Sequence, residues 1–344
     1  MRIKSIIIFV FCVGLSSIAS IAIGESLLNS VVTDNEGIRD LIKSLDVFAG
    51  SKSDKALIDK SRKIQNWAVK QGTGKTLDEL RKEAIYGIEA TALNVITLRK
   101  KHELNVTNIR PDSQSQIRQA ITNLMKREGY AVKVETLFTG PFSSVGSIEA
   151  IAELEFENEP FSNSRQVWAF RYINNKWLDP GRLSEGWAQA IPMDADGDGV
   201  NEILLFTSSM HQGYATISNT LIKLVFQTKY MVMYESMSQD NTGTLNEGAK
   251  MNVEILSFDD IDGDGRKELL ATNVIGCGRY DRAKKCPDKD KIEVYDLESD
   301  KHIKVCGADN YKIAYSETVT TIYKLKGIIY NRWRQTAATV GGSE

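Results

Sequence analysis

The chain has 344 residues, enough for about two or three domains and a sizeable hydrophobic core. Its charge is nearly balanced, with 43 Lys and Arg against 45 Asp and Glu. It contains no run of basic residues and no stripe of basic and aromatic residues, so nucleic acid and anionic membranes are excluded as predicted partners.

The N-terminal segment has the pattern of a secretory signal peptide. Arg2 and Lys4 precede an apolar run over residues 6–15, and small residues follow it. This order predicts a signal peptide over residues 1–24 and an exported protein, periplasmic or secreted, from a Gram-negative bacterium. The alternative is an uncleaved anchor, because residues 6–23 are nearly long enough to span a bilayer. No later stretch is long enough to span one.

Residues 25–112 are predicted to form a helical domain. Apolar residues recur there at helical spacing, most clearly from Leu77 to Leu98. We expect a small bundle or hairpin whose apolar stripes form its core.

Strand-like alternation replaces the helical spacing from Tyr130 onward. Residues 113–185 are predicted either as an α+β segment, with a helix and a curved antiparallel sheet, or as the first unit of a longer β region. Residues 186–334 are predicted as a β-rich domain, and residues 335–344 as a flexible tail.

An acidic loop with the pattern D-x-D-G-D-G-x-x-E occurs twice in the β-rich region. The first copy begins at Asp194 and the second at Asp260, 66 positions later. Four carboxylates within nine residues repel one another unless a cation lies among them, and Ca²⁺ is a cation that takes about six to eight oxygen ligands. The predicted ligands are Asp194, Asp196, Asp198, Val200, Glu202, Asp260, Asp262, Asp264, Arg266 and Glu268.

Val200 and Arg266 can contribute only main-chain carbonyl oxygens to these sites. The loops are not EF-hands, because Leu205 and Ala271 stand where an EF-hand needs a bidentate Glu. Acidic, glycine-rich surface turns without a metal are the alternative interpretation.

The loop pattern, followed by an apolar strand, resembles the FG-GAP or VCBS-type repeat of integrin-alpha-like β-propellers. The resemblance implies that each loop joins two strands of a blade, binds Ca²⁺ and belongs to a binding surface rather than to a catalyst. The expected fold is α+β multidomain: an N-terminal helical region followed by a mainly antiparallel β region with partial propeller-like repeats. A closed propeller needs about four to eight blades, so an oligomer that completes one is left open.

Three cysteines follow the predicted signal peptide: Cys277, Cys286 and Cys306. A bridge between Cys277 and Cys286 would close the tip of a hairpin. Cys306 can compete for either partner and reduced thiols are a further alternative, so the connectivity stays open.

The sequence predicts no catalytic residues. The three histidines lack a second histidine or cysteine at ligand spacing, and no nucleophile motif is present. We therefore expect an exported calcium-binding β-repeat protein that recognises a protein or glycan, with calcium in a structural role. The alternatives are a periplasmic inhibitor or immunity-type protein and an exported hydrolase whose β region docks substrate.

Overall fold

The computed structural model describes residues 35–47, 54–85, 87–103, 111–157, 159–160, 164–184, 186–226 and 229–340. The predicted signal peptide lies outside the described residues. The described residues from Leu41 onward form one compact unit. Within the described ranges, no helix is both long and apolar enough to cross a membrane.

The helices precede the strands along the chain. They are α1 (Asn35–Lys43), α2 (Lys55–Thr73), α3 (Leu77–Lys82), α4 (Ile88–Glu103) and α5 (Pro111–Arg127). Asp54 caps α2, since its carboxylate accepts the Ala56 and Leu57 N–H groups. Thr76 and Glu79 form a reciprocal capping box at the start of α3.

All strand pairs are antiparallel and form three sheets. The strands are β1 (Val132–Gly140), β2 (Glu149–Phe156), β3 (Arg165–Ile173), β4 (Lys176–Arg182), β5 (Trp187–Met193), β6 (Glu202–His211), β7 (Tyr214–Phe226), β8 (Lys229–Asp240), β9 (Lys250–Asp259), β10 (Glu268–Tyr280), β11 (Lys291–Asp296), β12 (Lys301–Cys306), β13 (Tyr311–Lys326) and β14 (Ile329–Gln335). One sheet has the order β1-β2-β3-β4, the largest has the order β14-β13-β10-β9-β8-β7-β6-β5, and β11 pairs with β12 alone.

The first half of strand β6 lies where the large sheet is covered on both faces. Ile203 and Leu205 belong to a core shared with strands β1–β3, whereas Leu204 and Phe206 face a second core that includes Leu98 of α4. Side chains alternate between the two faces of a strand, so an uninterrupted apolar run is buried only when both faces are covered.

Helix α5 and the four-stranded sheet share a core of their own. Ile121 and Met125 of α5 pack with Leu154, Phe170 and Trp177 of the sheet. The described residues of α5 and β1–β4 therefore form a helix packed on a sheet, and this sheet is separate from the eight-stranded one. The α+β class is confirmed at this level.

Helices α2, α3 and α4 pack on the eight-stranded sheet rather than only on one another. Val69, Leu80 and Ala90 share a core with Val253 and Ile255 of β9. The apolar stripes predicted to form a helical bundle over residues 25–112 thus lie largely against β-strands.

Buried Asn94 fixes this helix–sheet contact. Its side chain donates to the Gly72 and Leu256 carbonyl oxygens at 2.8 and 2.7 Å, and it accepts from the Leu256 N–H at 3.0 Å. A Cβ at Gly72 would lie 2.4 Å from the Leu256 oxygen, so α2 approaches β9 this closely only with glycine there.

The eight-stranded sheet is open, and the described residues form no closed barrel or propeller. Strands β5 and β14 are its two edges. Between β8 and β9 the pairing is limited to Gln239 with Asn252 and Asp240 with Met251. The sheet therefore divides into two four-stranded halves, joined at the middle by a short contact.

The segment predicted as a flexible tail is packed as far as it is described. Thr336, Ala337 and Thr339 are buried, and the Gln65 side chain donates to Thr336 Oγ1 and to the Ala337 carbonyl oxygen. Thr339 also forms a β-bridge with Thr318. Polar partners on α2 and β13 hold a segment whose own sequence has no regular periodicity.

The structure contains a disulfide between Cys286 and Cys306, while Cys277 is a free thiol. This corrects the predicted bridge between Cys277 and Cys286. Cys277 lies within β10, paired opposite Ala314 in the large sheet. In the β11–β12 hairpin, Lys291 pairs with Cys306, which brings the end of β12 next to the segment carrying Cys286.

A buried ionic cluster connects α4, the four-stranded sheet and β5. Glu153 is fully buried, with ion pairs to Arg99 and, at 2.7 Å, to Arg165. It also accepts the Ala190 N–H at 2.8 Å. Burial opposes ionisation, but the two guanidinium groups and this N–H outweigh burial and hold the pKa of Glu153 below its ordinary value.

The substitution Glu153→Gln is expected to lower the free energy of unfolding by about 3 kcal/mol or more, because it removes the buried charge with which two largely buried guanidinium groups pair. Urea denaturation measures the change. Glu155→Gln on the same strand is the matched control, since its side chain is 52% exposed. Equal effects of the two substitutions would contradict a structural role for the cluster.

Candidate metal centres

The two acidic loops occupy equivalent places in an internal repeat. The first repeat consists of β5–β8, and the second consists of β9, β10, β13 and β14. Each is a four-stranded antiparallel meander whose first two strands are joined by an acidic loop, residues 194–201 or 260–267.

The first aspartate of each loop organises the turn. Asp194 Oδ1 accepts the Gly197 N–H at 2.8 Å, and its Oδ2 accepts the Gly199 N–H at 3.1 Å. Asp260 makes the same two bonds to Gly263 and Gly265, at 2.7 and 3.0 Å. All four glycines have φ between 75° and 87°, a region that residues with a side chain rarely adopt. The glycines of the motif are thus required by the turn itself.

The later carboxylates each use one oxygen to bind the backbone. In the first loop, Asp196 Oδ1 accepts the Asp198 N–H, Asp198 Oδ1 accepts the Val200 N–H, and Glu202 Oε2 accepts the Ala195 N–H. The second loop repeats these bonds with Asp262, Asp264 and Glu268 accepting from Asp264, Arg266 and Ile261. The pattern leaves the second oxygen of each carboxylate available.

Carboxylate oxygens converge in both loops. One carboxylate oxygen from each of Asp194, Asp196 and Glu202 lies within 4.8 Å of the others, and Asp260, Asp262 and Glu268 form the same cluster. Val200 and Arg266, predicted as carbonyl ligands, lie at the matching position of each loop and donate their N–H groups to Asp198 and Asp264. The structure therefore brings three predicted carboxylates of each loop together, and Asp198 and Asp264 are not members of these clusters.

The glutamates are the buried members of each cluster. Glu202 is 0% exposed and Glu268 is 1% exposed. Burial, reinforced by the negative charge of Asp196, raises the pKa of Glu202 to about 7. Burial, with Asp262 and Asp264 nearby, likewise raises the pKa of Glu268 to about 7.

A lysine from the third strand of each repeat enters its acidic loop. Lys223 Nζ lies 2.5 Å from Asp196 Oδ2, 2.6 Å from Asp198 Oδ2 and 2.9 Å from Glu202 Oε1. Burial opposes its charge, but hydrogen bonds to these three carboxylates outweigh burial and raise the pKa of Lys223 above its ordinary value.

Lys324 does the same in the second loop. Its Nζ contacts Asp262 Oδ2 and lies 3.1 Å from Asp264 Oδ2. The strand registers show that the two lysines are equivalent: Ile203 pairs with Ile222, and Leu269 pairs with Tyr323. One step further along each antiparallel ladder, Glu202 stands opposite Lys223 and Glu268 stands opposite Lys324.

The two loops also contact each other. The Lys267 N–H donates to the Ala195 carbonyl oxygen at 2.9 Å, and Lys267 Nζ donates to the Asp194 carbonyl oxygen at 2.8 Å. Tyr330 of β14 donates its hydroxyl to the Lys267 carbonyl oxygen at 2.7 Å. A Cβ at Gly197 would lie 2.6 Å from the Gly265 oxygen. The two centres thus form one connected structure.

Four residues of the site were not predicted from the sequence: Lys223, Lys324, Lys267 and Tyr330. Lys223 lies 21 positions after Glu202, whereas Lys324 lies 56 positions after Glu268. The β11–β12 hairpin, inserted in the second repeat only, hides the correspondence. Aligning the apolar strands that follow each loop, with that hairpin removed, is the signal that would have revealed it.

Neither a protein-family model, nor a curated protein, nor a solved structure matches the chain. The geometry of the two loops and the chemistry of their residues are therefore what indicates a function for this protein.

His102 lies next to this region, at the end of α4. It is 3% exposed, and its ring meets Phe258 of β9 edge-on. Burial, with a smaller effect of the positive charges of Lys267 and Lys101, lowers the pKa of His102 to about 3. The imidazole is therefore neutral in the folded protein at neutral pH.

His102 is expected to destabilise the protein in acid. The unfolded chain takes up a proton near pH 6.5 and the folded protein does not, so the contribution is complete above about pH 6.5 and is lost as the pH falls toward 3. His102 should lower the free energy of unfolding by up to about 1.4 kcal/mol for each unit by which the pH falls in this range.

Denaturation of the parent protein and of His102→Gln between pH 6.5 and 4 measures this effect. The His102→Gln protein should show the shallower decrease, because all other groups titrate in both proteins. His302→Gln is the control, since its side chain is 64% exposed. Parallel curves for the parent and His102→Gln would contradict the neutral, buried imidazole.

Proposed function

We propose that the two repeats are calcium-binding units of the FG-GAP type, in an exported recognition protein whose calcium is structural. The observation that carries this proposal is the repetition of one complete arrangement: the same carboxylate–peptide hydrogen bonds and the same convergence of carboxylate oxygens in both loops. When bound, calcium supplies two positive charges to oxygen ligands of the kind it prefers.

The residues of each loop fit such a cation. Each loop contains four carboxylates but receives one inserted ammonium group, from Lys223 or Lys324. The ammonium groups contact the oxygens that the backbone leaves available, so they mark a position in each loop where positive charge is stabilised. A metal at this position has to displace the lysine.

The two loops hold their lysines to different extents. Lys223 contacts three carboxylates, and its side chain is 15% exposed. Lys324 contacts two carboxylates, and its side chain is 35% exposed. Displacing Lys324 breaks fewer ion pairs, so the second loop is proposed to bind calcium more tightly than the first.

The structural role follows from the contact between the loops. Lys267 connects the second loop to the main chain of the first, at a boundary between the two halves that lies at the opposite end of β9 from its short pairing with β8. Carboxylates fixed by a cation on both sides of this boundary would hold the two halves of the sheet in register.

Export supplies both calcium and an oxidising environment. The Cys286–Cys306 disulfide is of a kind that persists in exported proteins. Extracellular calcium modules work at dissociation constants of about 10⁻⁴–10⁻³ M, which suits sites that must compete with a lysine.

The inserted β11–β12 hairpin supports a recognition role. The first repeat connects its second and third strands through a tight turn at Gln212 and Gly213, whereas the second repeat places residues 281–310 between β10 and β13. Insertions in repeat proteins commonly form the binding face. The proposed partner is a protein or a glycan.

A calorimetric calcium titration of the exported chain is expected to show two bound ions, with a melting temperature a few degrees higher in calcium than in chelator. Asp196→Asn combined with Asp262→Asn should abolish both effects, because each substitution removes a carboxylate charge from one loop. Asp59→Asn combined with Asp309→Asn, at exposed positions, is the control. Absence of binding at millimolar calcium would refute the proposal.

Replacing each lysine with methionine tests the competition directly. Lys223→Met and Lys324→Met keep most of the side-chain length but remove the ammonium group. Each should raise the calcium affinity of its own loop, with the larger increase for Lys223→Met, and should lower stability in chelator because the carboxylates lose their counter-charge. Lys229→Met, at an exposed position of β8, is the matched control. Unchanged affinity in both variants would show that the lysines do not occupy the metal position.

A further inference from the structure

The β11–β12 hairpin is an addition to a repeat that is complete without it. The first repeat forms all four of its strands with β6 and β7 joined directly at His211 and Tyr214. Ordering the extra residues of the second repeat has an entropic cost, estimated at about 1–2 kcal/mol for each residue. A function of the hairpin other than building the sheet would account for an addition of this size.

Buried acidic residues hold the hairpin to the large sheet. Glu247 is 2% exposed and accepts the Tyr280 N–H at 2.8 Å, and its main chain bonds to Tyr295 and Leu297 on either side of Asp296, at the end of β11. Asp296 is 4% exposed and accepts from Arg282 at 3.0 Å. The hairpin is therefore fixed rather than a free loop.

The hairpin has a small core and a covalent link. Val294 and Val305 pack with Tyr280, where β10 ends. The Cys286–Cys306 disulfide connects the incoming segment to the end of β12. Together these contacts prearrange the surface on this side of the hairpin, which lowers the entropic cost of binding a ligand there.

A cavity of about 530 Å³ lies beside this disulfide. Five basic side chains line it, and Asp281 is the one carboxylate among the lining residues. The basic residues are Arg282, Lys284, Lys285, Lys291 and Lys304. Its volume is within the range of ligand-binding clefts.

Two of the five basic groups already have close acidic partners. Arg282 is held by Asp296, and Lys291 Nζ lies 2.8 Å from Asp288, whose side chain is 95% exposed. Asp281 accepts the Ala283 N–H within its own turn.

Lys284, Lys285 and Lys304 form no ion pair with a described carboxylate. The cavity therefore has an excess of positive charge on three exposed lysines. Lysine is suited to tetrahedral oxyanions, because its compact ammonium group needs no planar partner.

We propose that this cavity binds a small ligand that carries several sulfate or phosphate groups. The inference depends on the proposed recognition role and names the class of ligand, but it is independent of calcium binding. The three lysines would provide the charge, and Ile303 and Val305 would provide apolar contacts beside it. Because the lysines are exposed, binding should weaken as the ionic strength rises.

Calorimetric titration with tripolyphosphate and with a sulfated disaccharide tests this proposal, without added calcium because phosphate chelates it. We expect saturable binding at low salt to at least one probe. Binding of tripolyphosphate alone would assign the oxyanion to phosphate, and binding of the disaccharide alone would assign it to sulfated sugars; either supports the proposal.

The triple variant Lys284→Gln, Lys285→Gln, Lys304→Gln should lose affinity by about tenfold or more, since charge-assisted hydrogen bonds to the ligand are removed. The triple variant Lys63→Gln, Lys126→Gln, Lys176→Gln makes the same change of charge at exposed positions outside the cavity lining and should bind within about twofold of the parent. Circular dichroism and melting curves establish that both variants fold.

The proposal is overturned if neither probe binds saturably at low salt, or if the two triple variants lose affinity equally. Calcium binding is measured separately, so its failure and the failure of this cavity are distinguishable. If calcium binds and both probes fail, the ligand class is wrong while the repeat proposal stands. If the probes bind and calcium does not, the proposed ligand of the cavity is supported and the calcium proposal is refuted.

Discussion

Compensation of negative charge at the boundary between the two repeats is the constraint on which the arrangement of the large sheet depends. The acidic loops lie side by side, and Glu202 and Glu268 are buried within them. Uncompensated carboxylates there would repel each other where the two loops meet, at the end of β9 opposite to its short pairing with β8. Lys223 and Lys324 bring positive charge to the loops, and Lys267 connects them. The lysines that neutralise the negative charge of the loops therefore also help to hold the two halves of the sheet together.

Polar groups also determine where the other layers lie. The apolar faces of α2–α4 can pack on a sheet at many positions, but Asn94 satisfies its amide only against Gly72 and Leu256. The Arg99–Glu153–Arg165 cluster similarly sets α4 against the four-stranded sheet. Burial of apolar surface drives association without direction, whereas a buried polar group penalises every arrangement that leaves it unpaired.

The limits of sequence-based prediction follow from this division. The acidic loops were predicted because their geometry is local: each hydrogen bond that the Asp194 or Asp260 side chain accepts comes from within five residues. The α+β class was predicted because helical and strand periodicities are also local. The lysines depend on strand register across an inserted hairpin, and the partner of Cys286 depends on how that hairpin pairs. Apolar stripes in residues 25–112 gave helices but did not reveal that a sheet, rather than another helix, covers them.

Because calcium has to compete with the inserted lysines, the proposed calcium binding would add only a limited amount to the free energy of unfolding. If each site has a dissociation constant of about 10⁻⁴–10⁻³ M, then about 1 mM calcium adds about 0.4–1.4 kcal/mol per site. This is a small part of the free energy of unfolding of a domain, about 5–15 kcal/mol. Calcium would therefore adjust a sheet that its own lysines already hold together, rather than create it. Under the proposed function, each repeat can fold without calcium, and the β11–β12 hairpin inserted in the second repeat does not depend on the metal.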